Sequence, residues 1–443
     1  MPEPSHLVRA IGRWSLAALM LNTMIGASIF GLPSLLAARL GESSVTAYIV
    51  AAGGVGIIAA CLAEVASQFQ EAGGPYLYAR VAFGRFAAIQ IGWLTWLSRI
   101  AASSAVADLF ISYLGQFFPG VEAPLMRALV LIVLLAFLAA VNYRGVKSGT
   151  WLNNFFTLTK LTLLVCFIIA GLMALALHPA IRVSPSAVPA TASHWFEAIL
   201  LIVYAYAGFE AALFVSGETR DTRKNAPVAL LIAMVTATLL YVAVQYVVMH
   251  TLSSAALSSK PAADAARHFL GPAGAGLVAA GTLVSVYGYL SANMLHTPRL
   301  TFAMGERGDF PAFFAAVHPR FRTPHVSIVV FALLLIAFSI AGNFRWNAVL
   351  AAVFRLFVYG AIAAALPVLR RRQALADAFR LPAGTLFAVL GLAFTAALAF
   401  TMHFAELAVM AATFFIAFLN WVWLRRSTHA SEVKSIGTIA GGD

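Results

Sequence analysis

Two charged residues stand where charge is expensive. Lys160 sits in Thr157-Leu-Thr-Lys-Leu-Thr162, inside a long apolar run, and Glu210 closes Tyr204-Ala-Tyr-Ala-Gly-Phe-Glu210 inside another. An ionisable side chain in hydrocarbon is costly and normally faces a bundle interior or a cavity, so each is a functional candidate. Lys160 offers a fixed ammonium, or a proton carrier if burial makes its charge easy to give up. The plainer alternative is a lysine reaching back to the helix end, about 10 residues away. Glu210 can bond freed backbone amides permanently, a structural role, or titrate.

The backbone around these residues is prepared for a break. Asn22-Thr-Met-Ile-Gly-Ala-Ser-Ile-Phe-Gly-Leu-Pro33 places small residues Gly26, Ala27, Ser28 and Gly31 ahead of a proline that cannot donate a helical hydrogen bond. Gly208 sits between Tyr206 and Glu210 in the second stretch. Unwound backbone at membrane depth is tolerated only where it lines a cavity or is buried in protein. There, free amides can hold a carboxylate and free carbonyls an ammonium, which together describe a zwitterionic amino acid. Small residues in such helices also serve as close-packing devices. The matching position of the two breaks in the chain favours a site.

The elements that must hold these residues are membrane helices. Hydrophobic residues make up 61% of 443 and charged residues 10%, against about 25% charged in soluble domains. Length alone allows two or three soluble domains, but the apolar runs are too long and frequent. Spans are predicted at about 14–38, 45–70, 86–115, 125–143, 150–177, 195–217, 227–250, 272–302, 324–342, 346–368, 382–402 and 405–424, each near the ~20 residues that cross hydrocarbon. The broken spans are the first and sixth, each opening a set of five, as an inverted repeat requires. The start of the chain lacks a cleavable signal pattern, so the first span is expected to be retained.

The net charge of +12 comes from short basic clusters between spans, a pattern of loops facing anionic lipid rather than nucleic acid. With the N-terminus inside, 20 of the 29 Lys and Arg fall in cytoplasmic segments and 6 in outer ones. That asymmetry predicts both termini in the cytoplasm. Cys61 and Cys166 both fall within spans, so no disulfide framework is implied.

The motifs together resemble the amino acid–polyamine–organocation (APC) permeases over nearly the whole chain. Ile25-Gly-Ala-Ser-Ile-Phe-Gly-Leu-Pro33 resembles their first-helix motif, and Gly73-Gly-Pro-Tyr-Leu-Tyr78 with Phe83-Gly84 the loop after helix two. Gly208-Phe-Glu210 with Gly217-Glu-Thr-Arg-Asp-Thr-Arg-Lys-Asn-Ala-Pro227 resembles the helix six to seven region. Arg299, Ala303-Met-Gly-Glu-Arg-Gly-Asp-Phe-Pro311, His318-Pro319 and Thr323-Pro324 resemble the stretch after helix eight. The resemblance implies an all-α integral membrane protein of about 12 transmembrane helices. It implies a LeuT-type 5+5 inverted repeat with helices 1 and 6 unwound: repeat one about 14–177, repeat two about 195–368, two extra helices about 382–424, and short cytoplasmic tails.

By the same resemblance, the Ala27 and Ser28 amides, beside Gly26, receive a substrate carboxylate, and the carbonyls of Met24, Tyr204 and Ala207, next to Gly208, receive an amino group. Ser28 stands where the family usually has glycine. Lys160 matches a position at which some sodium-independent members carry an ammonium in place of sodium, between helices one, five and eight. Glu210 matches an acid thought to titrate in acid-resistance relatives.

Further polar residues lie within spans. Tyr206 is a gating candidate on span six. Tyr359 shares a face of span ten with Arg355, four residues away, as a gate candidate or as half of an Arg–Tyr packing pair. Ser285, Tyr289 and Asn293 form a stripe on span eight that either serves the site or bonds neighbouring helices. Arg99 and Asp108 are nine apart, too far for direct pairing, so each should have a partner elsewhere.

Walker and clustered metal-ligand motifs are missing, so an enzyme, a cofactor or a metal is not expected. The reading is a sodium-independent, secondary-active L-amino acid transporter of the cell membrane, a permease or exchanger working by alternating access. Its partners are the substrate and the bilayer, and its oligomeric state is open. The rival is a transporter-like sensor subunit that binds amino acids without moving them; the short stretch after Arg426 speaks against it. The Gly115–Pro124 loop has no cysteine, which speaks against a disulfide-linked partner. A lysine ammonium and a sodium ion in one small site would repel strongly. Uptake in sodium-free choline buffer should therefore match uptake in sodium buffer, and a steep sodium dependence would remove Lys160 from that role.

Overall fold

A computed structural model describes residues 12–26, 28–69, 74–145, 150–184, 188–210, 222–253, 255–372 and 379–439. The described residues are helical and contain no strand. Eight stretches are long and apolar enough to cross a membrane, and three further apolar helices are shorter.

The first span is two helices, α1 (Arg13–Met24) and α2 (Ser28–Leu40). Ile25 turns the chain with φ −74° and ψ 74°, and the Gly26 amide donates to the Met24 carbonyl at 2.7 Å. This three-residue inverse γ-turn cannot continue a helix. Farther along α2, beyond the break, Pro33 removes an amide. The Gln245 amide donates to the Pro33 carbonyl at 3.4 Å and the Tyr113 hydroxyl to the Phe30 carbonyl at 2.8 Å.

Next come α3 (Ser44–Ser67), α4 (Gly74–Phe83), α5 (Arg85–Leu114), α6 (Pro124–Tyr143) and α7 (Thr150–Leu177). Helix α8 (Ala192–Tyr206) begins at a Thr191 cap and stops where Ala207 turns extended and Gly208 takes φ +119°. Then follow α9 (Thr222–Thr251), α10 (Pro261–Glu306), α11 (His325–Ala341), α12 (Phe344–Arg372), α13 (Gly384–Ala399) and α14 (Phe404–Ile439). The expectation of a span opening near 272 meets a longer element. Helix α10 starts at Pro261 and bends at Gly271, whose φ of 68° before Pro272 divides it into a short helix and a long one.

Helices α5 and α12 pack on each other and bury most of their surface, whereas α6, α7 and α14 bury little. Helix α1 packs on α9, α10 on α5 and α7, and α3 on α8 and α9. Cys61 is buried in α3 and Cys166 is exposed on α7.

Charged clusters close the two ends of this core. At the Arg85 end of α5, fully buried Asp309 accepts from Arg80 at 2.6 Å, from Arg85 at 2.8 Å and from the Tyr76 hydroxyl. Its own carbonyl accepts from Asn420 of α14 at 3.1 Å. Glu64 accepts two bonds from Arg370, at 2.6 and 2.7 Å, and one from the Leu381 amide at 2.9 Å, joining α3, α12 and the approach to α13. Toward the other end of α5, Asp108 pairs with Arg127 at 2.5 Å, and Arg127 also donates to the Ser339 and Gly342 carbonyls. Asp108 and Arg99 are therefore not partners, as their spacing predicted. Arg39 of α2 pairs with Glu197 of α8 at 3.0 Å.

Removing one member of a buried, bidentate pair leaves an uncompensated charge and costs about 3–5 kcal/mol. Arg370→Ala should therefore lower the thermal midpoint of the detergent-purified protein sharply, and Glu64→Gln should lower it less. Equal, small shifts for both would show that the pair contributes little to the fold.

Candidate functional site

The two helix breaks meet in the interior and are tied by side chains from neighbouring helices. The Thr23 hydroxyl, at the end of α1, lies 2.7 Å from the Gly208 carbonyl. The Tyr241 hydroxyl of α9 lies 2.7 Å from the Met24 carbonyl and 2.9 Å from the Ala205 carbonyl, so its one proton is shared by both broken helices. Glu210 folds back so that its Oε2 accepts from the Gly208 amide at 2.9 Å and from the Tyr359 hydroxyl at 3.5 Å. Gly208 is confined as well as twisted: a Cβ there would stand 2.4 Å from the Thr23 carbonyl oxygen.

Lys160 is buried in α7, and its Nζ donates to the Asn22 carbonyl of α1. Phe156 and Leu163 share its helix face and fill the space over Gly288 and Gly281 of α10. Lys160 therefore lies at the junction of α1, α7 and α10. Snorkelling to the helix end is not what it does in this conformation.

A small cavity of about 10 Å³ lies between the breaks, room for about one water molecule. Met24, Gly26, Ser28, Tyr204, Ala207 and Tyr289 line it, together with Arg355. Ala27 lies outside the described residues. The amides of the first turn of α2 are not needed by that helix, and its positive dipole end lies at Ser28, beside the cavity. On the Phe344 side, Tyr204 meets Phe344 edge-on with ring centres 6.4 Å apart. On the other side Phe209 lies against Tyr359 at 5.5 Å. A space of this size does not admit an amino acid.

The remaining predicted residues divide. Tyr206 turns away, its hydroxyl 3.1 Å from the Tyr48 carbonyl and 2.9 Å from the Thr238 hydroxyl, so it ties α8 to α3 and α9. Asn293 donates to the Tyr289 carbonyl within its own helix at 3.1 Å. Ser285 is buried, and its hydroxyl has no partner among the described residues.

Nothing in the sequence singles out Thr23 or Tyr241, because a hydroxyl in an apolar helix carries no sign of what it bonds. Spacing presented Arg355 only as the neighbour of Tyr359. The signal available for Arg355 was the one used for Lys160, a permanent charge at mid-span.

A bundle of long apolar helices with a small cavity at two helix breaks has the architecture of a multi-pass membrane transporter. The family profile described as amino acid permease matches residues 11–424, and the chain belongs to that family. It is 29% identical over 403 residues to the methylthioribose transporter of Bacillus subtilis, covering 86% of this chain and 85% of that one. It is 28% identical over 379 residues to the serine/threonine exchanger SteT of Bacillus subtilis, covering 84% and 85%. Among solved structures it is similar to Mhp1, a nucleobase-cation-symport-1 family transporter in a closed conformation with bromovinylhydantoin bound. That match has a TM-score of 0.57 at 18% identity and covers 96% of both chains, a likeness of fold.

The strain and crowding at Gly208 give a direct test. A non-glycine residue held at positive φ costs about 1–3 kcal/mol before any clash is counted. Gly208→Ala should lower both thermal stability and initial uptake. Gly26→Ala should leave stability near wild type, since a Cβ there meets the Tyr289 ring at an ordinary 3.5 Å. The reverse ranking would mean that the break at Gly208 is more plastic than its geometry requires.

Proposed function

We propose that this protein is a sodium-independent, secondary-active L-amino acid transporter of the cell membrane, a permease or exchanger that works by alternating access. The observation that carries this reading is the small cavity between the breaks, with the amide-rich start of α2 on one wall and the ends of α1 and α8 on others. The Gly26 and Ser28 region is the carboxylate site, and the Tyr204 and Ala207 carbonyls are the ammonium site, joined by the Met24 carbonyl once it releases the Gly26 amide or the Tyr241 hydroxyl that it accepts from in this conformation. The aromatic pairs on either side are the two gates, opening in turn.

The transmembrane organisation we infer is about 12 spans in a LeuT-type 5+5 repeat with two additional helices. The three short apolar helices and the α1–α2 pair supply the crossings beyond those long enough to qualify alone. The excess of Lys and Arg in the segments on one side supports a cytoplasmic position for both termini. The reading is tested with purified protein in proteoliposomes and a panel of labelled amino acids, with methylthioribose included because one relative is named for it. Uptake of methylthioribose and of no amino acid would overturn it.

Lys160 acts in this proposal as a fixed charge that ties α1 to α7, favouring one arrangement of the broken helices over the other. A charge that biases a conformational equilibrium also changes apparent substrate affinity. Lys160→Ala should reach the membrane and purify normally, yet lose most uphill uptake and most counterflow exchange together. Loss of the response to a pH gradient with counterflow intact would assign Lys160 to proton transfer instead. Wild-type uptake at every pH would remove it from the mechanism.

A further inference from the structure

Arg355 is a buried cation on the wall of the central cavity. Its side chain comes from the middle of α12, one turn before Tyr359, and the residue is 7% exposed. A guanidinium carries five N–H donors, yet among the described residues none accepts a hydrogen bond from it. That is unusual, since buried charges are normally paired and hydrogen-bonded.

Glu210 offsets part of its charge through space but accepts no hydrogen bond from it. Glu210 lies close enough for Coulomb attraction, but it interacts with Arg99 as well, and its Oε2 is already held by the Gly208 amide and the Tyr359 hydroxyl. Asp108 is paired with Arg127 at 2.5 Å. Lys160 is occupied with the Asn22 carbonyl. On the cavity wall, the Arg355 guanidinium is left with N–H donors that no described residue accepts.

The cavity thus has two separate places for negative charge, the N-terminal end of α2 at Ser28 and the guanidinium of Arg355. A zwitterionic amino acid with a neutral side chain brings one carboxylate and satisfies one of them. A cationic side chain would be repelled by Arg355. A side-chain carboxylate would meet Arg355 in the planar, two-bond geometry that a guanidinium favours.

We propose that Arg355 receives the side-chain anion of the substrate, and that the preferred substrates are amino acids with a second negative charge, of the aspartate and glutamate class. This rests on the amino acid transport reading above.

The test is competition binding on purified protein in lipid nanodiscs, with glutamate, aspartate, glutamine, asparagine and lysine displacing a labelled amino acid that the protein binds. Glutamate and aspartate should displace it at concentrations lower than their amides by on the order of tenfold or more, with lysine weakest. Arg355→Gln should bring acid and amide to equal potency, and Arg355→Lys should keep part of the preference. Size-exclusion profiles establish that the variants are folded. If Arg355→Gln does not fold, the wild-type ranking and Arg355→Lys decide.

Equal potency of acids and amides on the wild-type protein overturns the Arg355 assignment and leaves amino acid transport standing. So does an Arg355→Gln protein that loses acids and amides alike, because the arginine would then hold the α-carboxylate. Failure to find any amino acid that binds overturns the transport reading itself.

Discussion

A helix broken in an apolar interior leaves peptide groups without partners, and in surroundings without water each orphan costs several kcal/mol. The centre of this protein is arranged around that constraint. The Gly26 amide closes on the Met24 carbonyl, Glu210 returns to the Gly208 amide, and Thr23 reaches the Gly208 carbonyl. Tyr241 shares one proton between Met24 and Ala205, and Lys160 serves Asn22. Most of these partners come from a different helix than the group they satisfy. The breaks therefore persist only while α1, α7, α8 and α9 keep their mutual positions.

The charged ties at the ends of α5 supply that constancy from outside the centre. Asp309 holds α4, α5 and α14 to the end of α10, Glu64 holds α3 to α12, and Arg127 holds α6 to α5 and the α11–α12 turn. Lipid-embedded helices gain little from the hydrophobic effect on association, so close packing must do the rest. Gly54 beneath Phe394 and Gly171 beneath Val247 leave no room for a Cβ. The scaffold is thus fastened at its ends and closely packed along its length. The cavity lies where the α1–α2 break and the end of α8 leave the backbone irregular.

Hydropathy and a few residues out of place made much of this legible beforehand. The apolar runs marked the helices, because crossing hydrocarbon demands length and composition that no soluble element needs. Gly26 and Gly208 marked the breaks, whereas Pro33 lies inside α2, and Lys160 marked itself by its cost. What escaped was partnership. Tyr241 bonds carbonyls 217 and 36 residues away, and Arg370 bonds a glutamate 306 residues away. Tyr206, which looked like a gate, is engaged with Tyr48 and Thr238 instead.

The sequence by itself determined that the chain is a bundle of membrane helices, where two of them must break, and that a lysine must be sheltered inside. Those properties follow from local composition, since hydrocarbon tests each segment separately. Only the tertiary structure decided that Arg355 lines the cavity, that Asp108 belongs to Arg127 and not to Arg99, and that one tyrosine ties both breaks. The physical reason is that a buried polar group is satisfied by whatever lies nearest in space. In a helical bundle, nearness in space is set by how distant segments pack and not by their order along the chain.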